Sequence, residues 1–335
     1  MVSALSTEAS LVLFEGSVTR EQNGVLWRAV ADHEVTCFGT SPRFLAATEQ
    51  AGLVPREAFK LERLQTILST GSPLLPEQFD WVYQSVKSDL HLASISGGTD
   101  IVSCFMLGVP TAPVYPGEIQ AAGLGMALDC WSEEGQSLRG RKGELVCTRP
   151  FPSMPLGLWN DPDQMKYRQT YFSYFTHQEV WRHGDFIEIN ARGGVIVYGR
   201  SDATLNPGGV RIGTAEIYRQ VETFPEVEDS LAISAERAGD AQMLLFVKLK
   251  GTAPLNPELE LRIKRKLREQ LSPRHVPAAI YAVTDIPYTR SGKKLELAVT
   301  RILQGQALDN LTAIANPECL DSYRQLAAQL DSNKP

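Results

Sequence analysis

Two arginines flanking a glycine turn are the residues of this sequence best suited to binding an anion. Arg200 and Arg211 stand on either side of Pro207-Gly208-Gly209, within the stretch from Gly199 to Ile217. Paired glycines let the backbone turn with positive φ, and guanidinium forks bind phosphate or ribose oxygens in a fixed geometry. The pattern favours phosphate or ribose recognition, and the plain alternative is a surface hairpin whose arginines are solvated.

A strand and a helix must position this turn. The β-rich run 194–198 enters it, and an amphipathic pattern from Thr214 to Phe224 follows it. Thr214 is the predicted N-cap, with Glu216 in the first turn, where the helix dipole favours a carboxylate. Ile217 stands three residues after this cap, so we expect an incomplete capping box.

Two successive predicted strands end in small glycine loops. The strand 64–70 breaks at Gly71-Ser72-Pro73, and the strand 90–95 stops at a loop of residues 96–100, Ser-Gly-Gly-Thr-Asp. In open α/β sheets, ligands bind outside the carboxyl ends of the strands. The two loops are therefore candidates for one binding site.

The order of elements predicts two domains. Residues 1 to about 120 alternate apolar runs with helical patterns, which indicates α/β layering, and 117–150 read as a small β subdomain. A loop rich in Pro and aromatic residues is predicted over 151–174, and a hairpin over 186–198. After Asp202 the pattern is that of a compact α+β domain, so we place the domains at 1–201 and 202–335.

Particular elements follow from local signals. In the first domain these are a strand at 35–40, a helix at 43–51 opened by Ser41-Pro42, and a helix at 79–86. The second domain is expected to hold helices at 215–222, 256–270 and 319–330, and strands at 229–234, 243–249 and 279–283.

The composition is that of an ordinary globular protein. The 335 residues are 43% hydrophobic and 21% charged, with a formal net charge of −6, which argues against a nucleic-acid groove or a membrane surface. Five scattered cysteines, with no CxxC pair, indicate reduced thiols. With no apolar run of transmembrane length and a poor signal peptide, the prediction is a cytoplasmic protein.

The start of the chain carries an isolated apolar run. Leu11-Val12-Leu13-Phe14 reads as a buried strand with almost nothing before it. A buried parallel strand needs neighbours and helical cover. The run therefore predicts either a strand at a sheet edge or a chain that begins inside a larger domain.

Five stretches in one order resemble the acyl-adenylate-forming superfamily of acyl-CoA synthetases, luciferases and peptide-synthetase adenylation domains. They are GSP at 71–73, GGTD at 97–100, HGD at 183–185, GRSDATLNPGGVRIGTAEI at 199–217 and TRSGK at 289–293. The resemblance implies an α/β fold: a truncated adenylate-forming large domain, made of a partial α/β sheet and a small β subdomain, followed by a small mobile α+β domain. It also implies ATP or AMP, Mg²⁺ and CoA as cofactors.

The resemblance assigns roles in the first domain. Gly71-Ser72-Pro73 matches the loop that packs on adenine, and Gly97 and Gly98 belong to the next binding loop. Thr99 matches a phosphate-contacting threonine, and Asp100 stands where the family usually has a metal-associated glutamate. Asp185 matches the carboxylate that accepts both ribose hydroxyls. Taken singly, without the resemblance, each residue is more simply explained as a turn glycine or a solvated charge.

The resemblance also assigns roles after the hairpin. Arg200 matches a second ribose contact, Arg211 a phosphate contact and Asp202 the hinge. Gly209 matches a glycine lining the pantetheine tunnel, and Arg268 resembles a CoA-contacting arginine.

Lys293 matches the adenylation lysine. It would bridge the attacking carboxylate and the α-phosphate, where negative charge concentrates. The alternative is a solvated loop lysine.

Gly97 bears on the substrate. Similar acetate-specific enzymes carry tryptophan there, which closes the acyl pocket, so glycine favours a longer carboxylic acid such as acetoacetate.

One family motif has no counterpart in the 335 residues: the Ser/Thr/Gly-rich phosphate loop ending in Gly-x-Pro-Lys. We therefore expect the C-terminal portion of an acyl-CoA synthetase, with three readings open. The chain could act with a missing N-terminal half, bind adenylate or CoA without turnover, or serve as a non-catalytic interaction protein.

Overall fold

The computed structural model describes residues 2–205, 211–237, 240–251, 253–290, 292–308 and 314–332. The chain divides into two compact units, Met1–Val197 and Tyr198–Pro335. This division falls slightly before the boundary placed at 201/202, which remains a prediction. Among the described residues, no helix is long and apolar enough to cross a membrane.

A parallel three-stranded sheet forms the first part of the first unit. The helices are α1 (Val2–Leu5), α2 (Val25–Asp32), α3 (Pro42–Gln50), α4 (Pro55–Ala58) and α5 (Pro76–Ser85). The strands β1 (Cys37–Thr40), β2 (Thr66–Ser69) and β3 (His91–Ser94) lie in the order β1-β2-β3. Trp27, Leu45, Ile67 and Phe79 are fully buried in its core.

The start of α3 confirms the local prediction. Ser41 caps the helix by accepting a hydrogen bond from the Phe44 amide at 3.3 Å, and Pro42 occupies its first turn.

Antiparallel sheets complete the first unit, and one strand leads into the second. A small sheet holds β4 (Ser96–Gly98), β5 (Ser103–Leu107) and β6 (Ala121–Ala122) in sequence order. Another holds β7 (Leu128–Trp131), β8 (Lys142–Cys147), β9 (Trp181–Ile189) and β10 (Val195–Arg200), in the order β10-β9-β8-β7. Helix α6 (Met165–Tyr171) precedes β9. The α/β layering and the β subdomain predicted from the sequence are both present.

The second unit is a three-stranded sheet between two helical layers. Its elements are α7 (Thr214–Val221), β11 (Val227–Arg237), β12 (Asp240–Leu249), α8 (Pro257–Gln270), β13 (Ala279–Ala282), α9 (Glu296–Leu303) and α10 (Leu320–Ser332). Strand β12 pairs antiparallel with β11 and parallel with β13. Its side chains alternate: Leu245 packs with α7 and α8, and Phe246 packs with α9 and α10.

Four local predictions are wrong. Residues 11–14 form no strand, and their side chains are 36–67% exposed, because the described chain offers them no neighbouring strand. The segment 151–174 holds helix α6, whose start is secured by Asp161: its carboxylate accepts hydrogen bonds from the Lys166 and Tyr167 amides at 3.1 and 2.8 Å. Residues 96–98 are strand β4 instead of loop.

The fourth error concerns the cap of α7. The N-cap is Gly213, so Glu216 stands at the third helical position and accepts a hydrogen bond from the Gly213 amide at 3.1 Å. Glycine is required because a Cβ there would lie 2.4 Å from the Tyr198 carbonyl oxygen. Thr214, the predicted N-cap, is the first helical residue, and its hydroxyl lies 3.4 Å from Glu296 Oε1.

Candidate functional site

Two of the predicted loops leave the same edge of the parallel sheet. Ser69 at the end of β2 is in register with Ser94 at the end of β3, and the Ile95 amide donates to the Ser69 carbonyl at 2.9 Å. Gly71 then turns with φ +100°, a conformation that glycine adopts without strain. The Gly71-Ser72-Pro73 loop and the GGTD stretch therefore begin side by side.

Gly97 is packed against the backbone of β5. A Cβ at this position would lie 2.1 Å from the Ser103 carbonyl oxygen and 2.6 Å from Cys104 Cα. Glycine is needed here to let the β4–β5 hairpin close. Replacing it with tryptophan would disrupt the hairpin, so that substitution cannot report on an acyl pocket alone.

The turn after β4 presents Thr99 and Asp100 at the surface. Both residues are exposed, and the turn closes with Val102 at φ +51°, an unusual conformation for a β-branched residue. The Tyr171 hydroxyl at the end of α6 donates to Asp100 Oδ2 at 2.6 Å. Asp100 is thus exposed but fixed in orientation.

The HGD stretch forms a bulge in β9. Glu144 of β8 pairs with Phe186 and Val146 pairs with Arg182, so residues 183–185 stand opposite Leu145 alone. Gly184 has φ +85°, which explains the glycine between His183 and Asp185. The bulge leaves Asp185 buried, with 7% of its surface exposed.

The GGTD and HGD stretches meet in the first unit. The Cβ position of Gly98 lies 2.0 Å from Asp100 Oδ1 and 2.8 Å from His183 Cε1, so only glycine fits between them. The His183 ring also packs on Phe105, with centroids 4.7 Å apart. The structure therefore brings together two stretches that are far apart in the sequence.

Sequence reasoning missed Tyr171 as the partner of Asp100. The available signal was the spacing of Tyr167 and Tyr171, which places two aromatic rings on one helical face, with their centroids 5.6 Å apart in the structure. This spacing was not recognised because residues 151–174 were predicted to form a loop.

Arg200, Asp202 and Arg211 lie together at the start of the second unit. Asp202 is in a short 3₁₀ helix, and its Oδ1 is 3.5 Å from Arg200 Nε, with both side chains more than 40% exposed. Arg211 donates to the Ser201 carbonyl at 3.1 Å. Gly209, predicted to line a tunnel, lies outside the described residues, as does the rest of segment 206–210.

Lys293 projects from a tight loop between β13 and α9. The Thr289 amide donates to the Lys293 carbonyl at 2.8 Å, and the Lys293 amide donates to the Thr289 hydroxyl at 3.0 Å. Gly292 has φ +82°, which completes the turn. The Lys293 side chain is exposed.

Arg268 is exposed in the last turn of α8. A cation there stabilises the helix dipole whether or not it binds a ligand, so its position does not distinguish the two roles.

Comparison with known proteins identifies the relatives of this chain. It is 51% identical over 326 residues to the acetoacetyl-coenzyme A synthetase of Rhizobium meliloti (strain 1021), covering 97% of this chain and 50% of the relative. It is 48% identical over 328 residues to the acetoacetyl-CoA synthetase of Mus musculus, covering 97% of this chain and 48% of the relative. Over about half of their length, the acetoacetyl-CoA synthetases are therefore similar in sequence to this chain.

The solved structure of an acetoacetyl-CoA synthetase from Streptomyces lividans has the same fold. It superposes with a TM-score of 0.89 at 44% identity, covering 98% of this chain and 51% of that one. Residues 220–293 also match the family model of the AMP-binding enzyme C-terminal domain. The chain spans about half the length of the acetoacetyl-CoA synthetases that it matches.

Proposed function

We propose that this chain supplies the adenosine-binding loops and the adenylation lysine for acetoacetyl-CoA synthesis. The overall reaction is acetoacetate, ATP and CoA to acetoacetyl-CoA, AMP and pyrophosphate. The observation that carries the proposal is 51% identity to a named acetoacetyl-coenzyme A synthetase over 97% of the chain.

The reaction has two displacements. A carboxylate oxygen of acetoacetate attacks the α-phosphorus of ATP and pyrophosphate leaves, giving the acyl-adenylate. The CoA sulfur then attacks the acyl carbonyl carbon, and AMP leaves. Charge concentrates on the α-phosphate in the first step, and an ammonium group there stabilises it. We assign this task to Lys293, whose exposed side chain projects from the 289–293 turn.

Asp185 and Thr99 are assigned to the nucleotide. The Asp185 carboxylate would accept hydrogen bonds from both ribose hydroxyls, and its burial would strengthen those bonds. Thr99, exposed in the turn after β4, would contact a phosphate. The Gly71-Ser72-Pro73 loop at the same sheet edge would cover adenine.

Asp100 fits a role in Mg²⁺ binding. Tyr171 orients one carboxylate oxygen, and Mg²⁺ is commonly held by one or two carboxylates together with substrate phosphates and water. Among the described residues, no group of three or more His, Cys, Asp or Glu side chains could hold a metal without such help. When bound, the ion would neutralise phosphate charge.

The second unit would supply the remaining contacts. We assign Arg200 to ribose, Arg211 to phosphate and Arg268 to CoA, and we assign Asp202 as the pivot between the adenylation and thiolation steps. The division of the chain just before Asp202 supports this assignment.

Calorimetric titration of AMP, ATP and CoA into the purified chain tests the proposal. Saturable binding of AMP with one site per chain is expected. An absence of heat with all three ligands, in a chain shown to be folded by circular dichroism, would contradict it.

A second candidate is a nucleotide-binding chain without turnover. It is favoured by the lack of a Gly-x-Pro-Lys phosphate loop among the 335 residues, since one phosphate clamp contributes several kcal/mol to catalysis. Binding of AMP together with an absence of pyrophosphate release would fit this candidate for the isolated chain.

A further inference from the structure

The two adjacent lysines of the 288–294 loop differ in their exposure to solvent. Lys293 is exposed, whereas the Lys294 side chain is only 15% exposed. Tyr288 and Lys294 pair as an isolated antiparallel bridge, so they form the two stems of the loop that carries Lys293.

One carboxylate holds both stems. Asp229 of β11 accepts a hydrogen bond from the Tyr288 hydroxyl at 2.6 Å through Oδ2, and its Oδ1 lies 2.8 Å from Lys294 Nζ. The register of β11 shifts between Val227 and Asp229, and such bulges re-aim the side chains that follow them. The Asp229 side chain is 14% exposed, so these contacts are largely shielded from water.

Lys294 has further partners on α7 and on β11 itself. Its Nζ lies 2.6 Å from Glu222 Oε1 at the end of α7, donates to the Ser230 carbonyl at 2.5 Å and sits 4.0 Å from the Tyr218 ring centroid. The Tyr218 hydroxyl in turn donates to Glu296 of α9 at 2.8 Å. Lys294 thus ties its stem of the loop to β11 and to α7, and Tyr218 links α7 to α9.

The pair formed by Asp229 and Lys294 is held in its charged form. Burial by itself would raise the pKa of Asp229, but the charge of Lys294 and the hydrogen bonds from Lys294 and Tyr288 keep that pKa below its usual value. Burial would lower the pKa of Lys294, but Asp229 and Glu222 raise it well above its usual value. The attraction therefore persists throughout the neutral pH range.

We propose that Asp229 is a positioning residue for the adenylation lysine: by holding both stems of the 288–294 loop, it fixes the backbone from which Lys293 projects. The inference rests on the proposed function only for the catalytic role of Lys293. The ordering of the loop by Asp229 is a property of this chain by itself.

Hydrogen exchange of the full chain tests whether Asp229 orders the loop that carries Lys293. In Asp229→Asn the neutral amide can still bond to Tyr288 but no longer neutralises Lys294. We expect the amides of 289–294 to exchange at least tenfold faster, with the amides of α8 unchanged. Trypsin should cleave after Arg290 and Lys293 faster by a similar factor.

Glu228→Gln is the matched control. Glu228 neighbours Asp229 and pairs with Lys248 at 2.8 Å, outside the loop, so exchange at 289–294 should stay within twofold of the unmodified chain. If Asp229→Asn fails to fold, Tyr288→Phe serves as a milder test, because it removes the hydroxyl that donates to Asp229 and keeps the contact between Asp229 and Lys294. We then expect about threefold faster exchange in the loop.

Two results would overturn the inference. Loop exchange unchanged within twofold in Asp229→Asn and in Tyr288→Phe would show that the carboxylate does not order the loop. Equal acceleration of the loop and of α8 would show a general structural role instead.

The outcome is separable from that of the proposed function. If the chain binds no AMP but Asp229→Asn speeds exchange in the loop, the proposed function is wrong and the role of Asp229 in ordering the loop is confirmed. If AMP binds but Asp229→Asn leaves loop exchange unchanged, the proposed function is supported and the role of Asp229 is refuted.

Discussion

The glycines of the candidate site are required by close contacts as well as by turns. Gly97 abuts the β5 backbone, Gly98 fits between Asp100 and His183, and Gly184 allows the bulge that contains Asp185. These contacts explain why glycine is needed at each position, whereas the sequence alone shows only that each glycine belongs to a motif.

Substitution of Gly97 tests the packing of the β4–β5 hairpin. We expect Gly97→Ala to lower the free energy of unfolding by about 1–3 kcal/mol, because its Cβ would collide with the Ser103 carbonyl. Urea denaturation measures the change.

Gly39→Ala is the matched control. Gly39 lies in β1, and a Cβ there would meet nothing within 4 Å, so the change should be neutral or stabilising by about 0.5–1 kcal/mol. Equal destabilisation by both alanines would contradict the contact described for Gly97.

At the element scale, side-chain caps fix helix starts that the sequence marks clearly. Asn256 caps α8 by accepting a hydrogen bond from the Leu259 amide at 2.8 Å. We expect Asn256→Ala to cost about 1 kcal/mol in a thermal or urea unfolding experiment. Asn256→Asp keeps an acceptor and should cost less than half as much; equal losses would show that the cap contributes little.

Thiol chemistry tests the burial of β7 and of the start of α10. Burial, together with the charges of Asp129 and Asp285 respectively, raises the pKa of Cys130 and of Cys319 to about 12. At pH 8 only about one thiol in ten thousand would then be thiolate, the reactive form. Cys37 is exposed in β1 and should react first with an aromatic disulfide reagent.

Cys37→Ser should remove the fast phase of that reaction, and denaturant should release the buried thiols. Modification of Cys130 or Cys319 in the native chain at the rate of Cys37 would contradict the packing.

Much of the element order could be predicted because each signal is local. Ser41-Pro42 opening α3 and Asn256 opening α8 are examples, and the strands of the parallel sheet follow from short apolar runs. The start of α7 could not be predicted, because Gly213 is selected by the Tyr198 carbonyl, which is near only in the fold. The strand predicted at 11–14 failed because apolar character alone does not supply a neighbouring strand.

The candidate site was predictable as motifs but not as contacts. The resemblance pointed to Asp100, Asp185 and Lys293, whereas their supports come from distant segments: Tyr171 for Asp100, and Asp229 for the loop of Lys293. Long-range pairing of this kind leaves no trace in the local pattern.

At the scale of the whole molecule, the proposed machinery is divided between two compact units. Asp185 lies in Met1–Val197 and Lys293 in Tyr198–Pro335. We expect the 335-residue chain alone to release no measurable pyrophosphate from ATP with acetoacetate and Mg²⁺, because no Gly-x-Pro-Lys phosphate loop is present in it. A coupled assay measures this, and sustained release above a Lys293→Ala control would refute the expectation.

Calorimetric titration of AMP into three chains tests whether the first unit holds the proposed adenosine site around Asp185. Asp185→Asn removes the charge that strengthens the bonds to the ribose hydroxyls, so we expect at least tenfold weaker binding than in the unmodified chain. Asp163→Asn, at an exposed aspartate, should bind AMP normally. Equal AMP affinity in all three chains, or no AMP binding to the unmodified one, would show that Asp185 forms no adenosine site in the first unit.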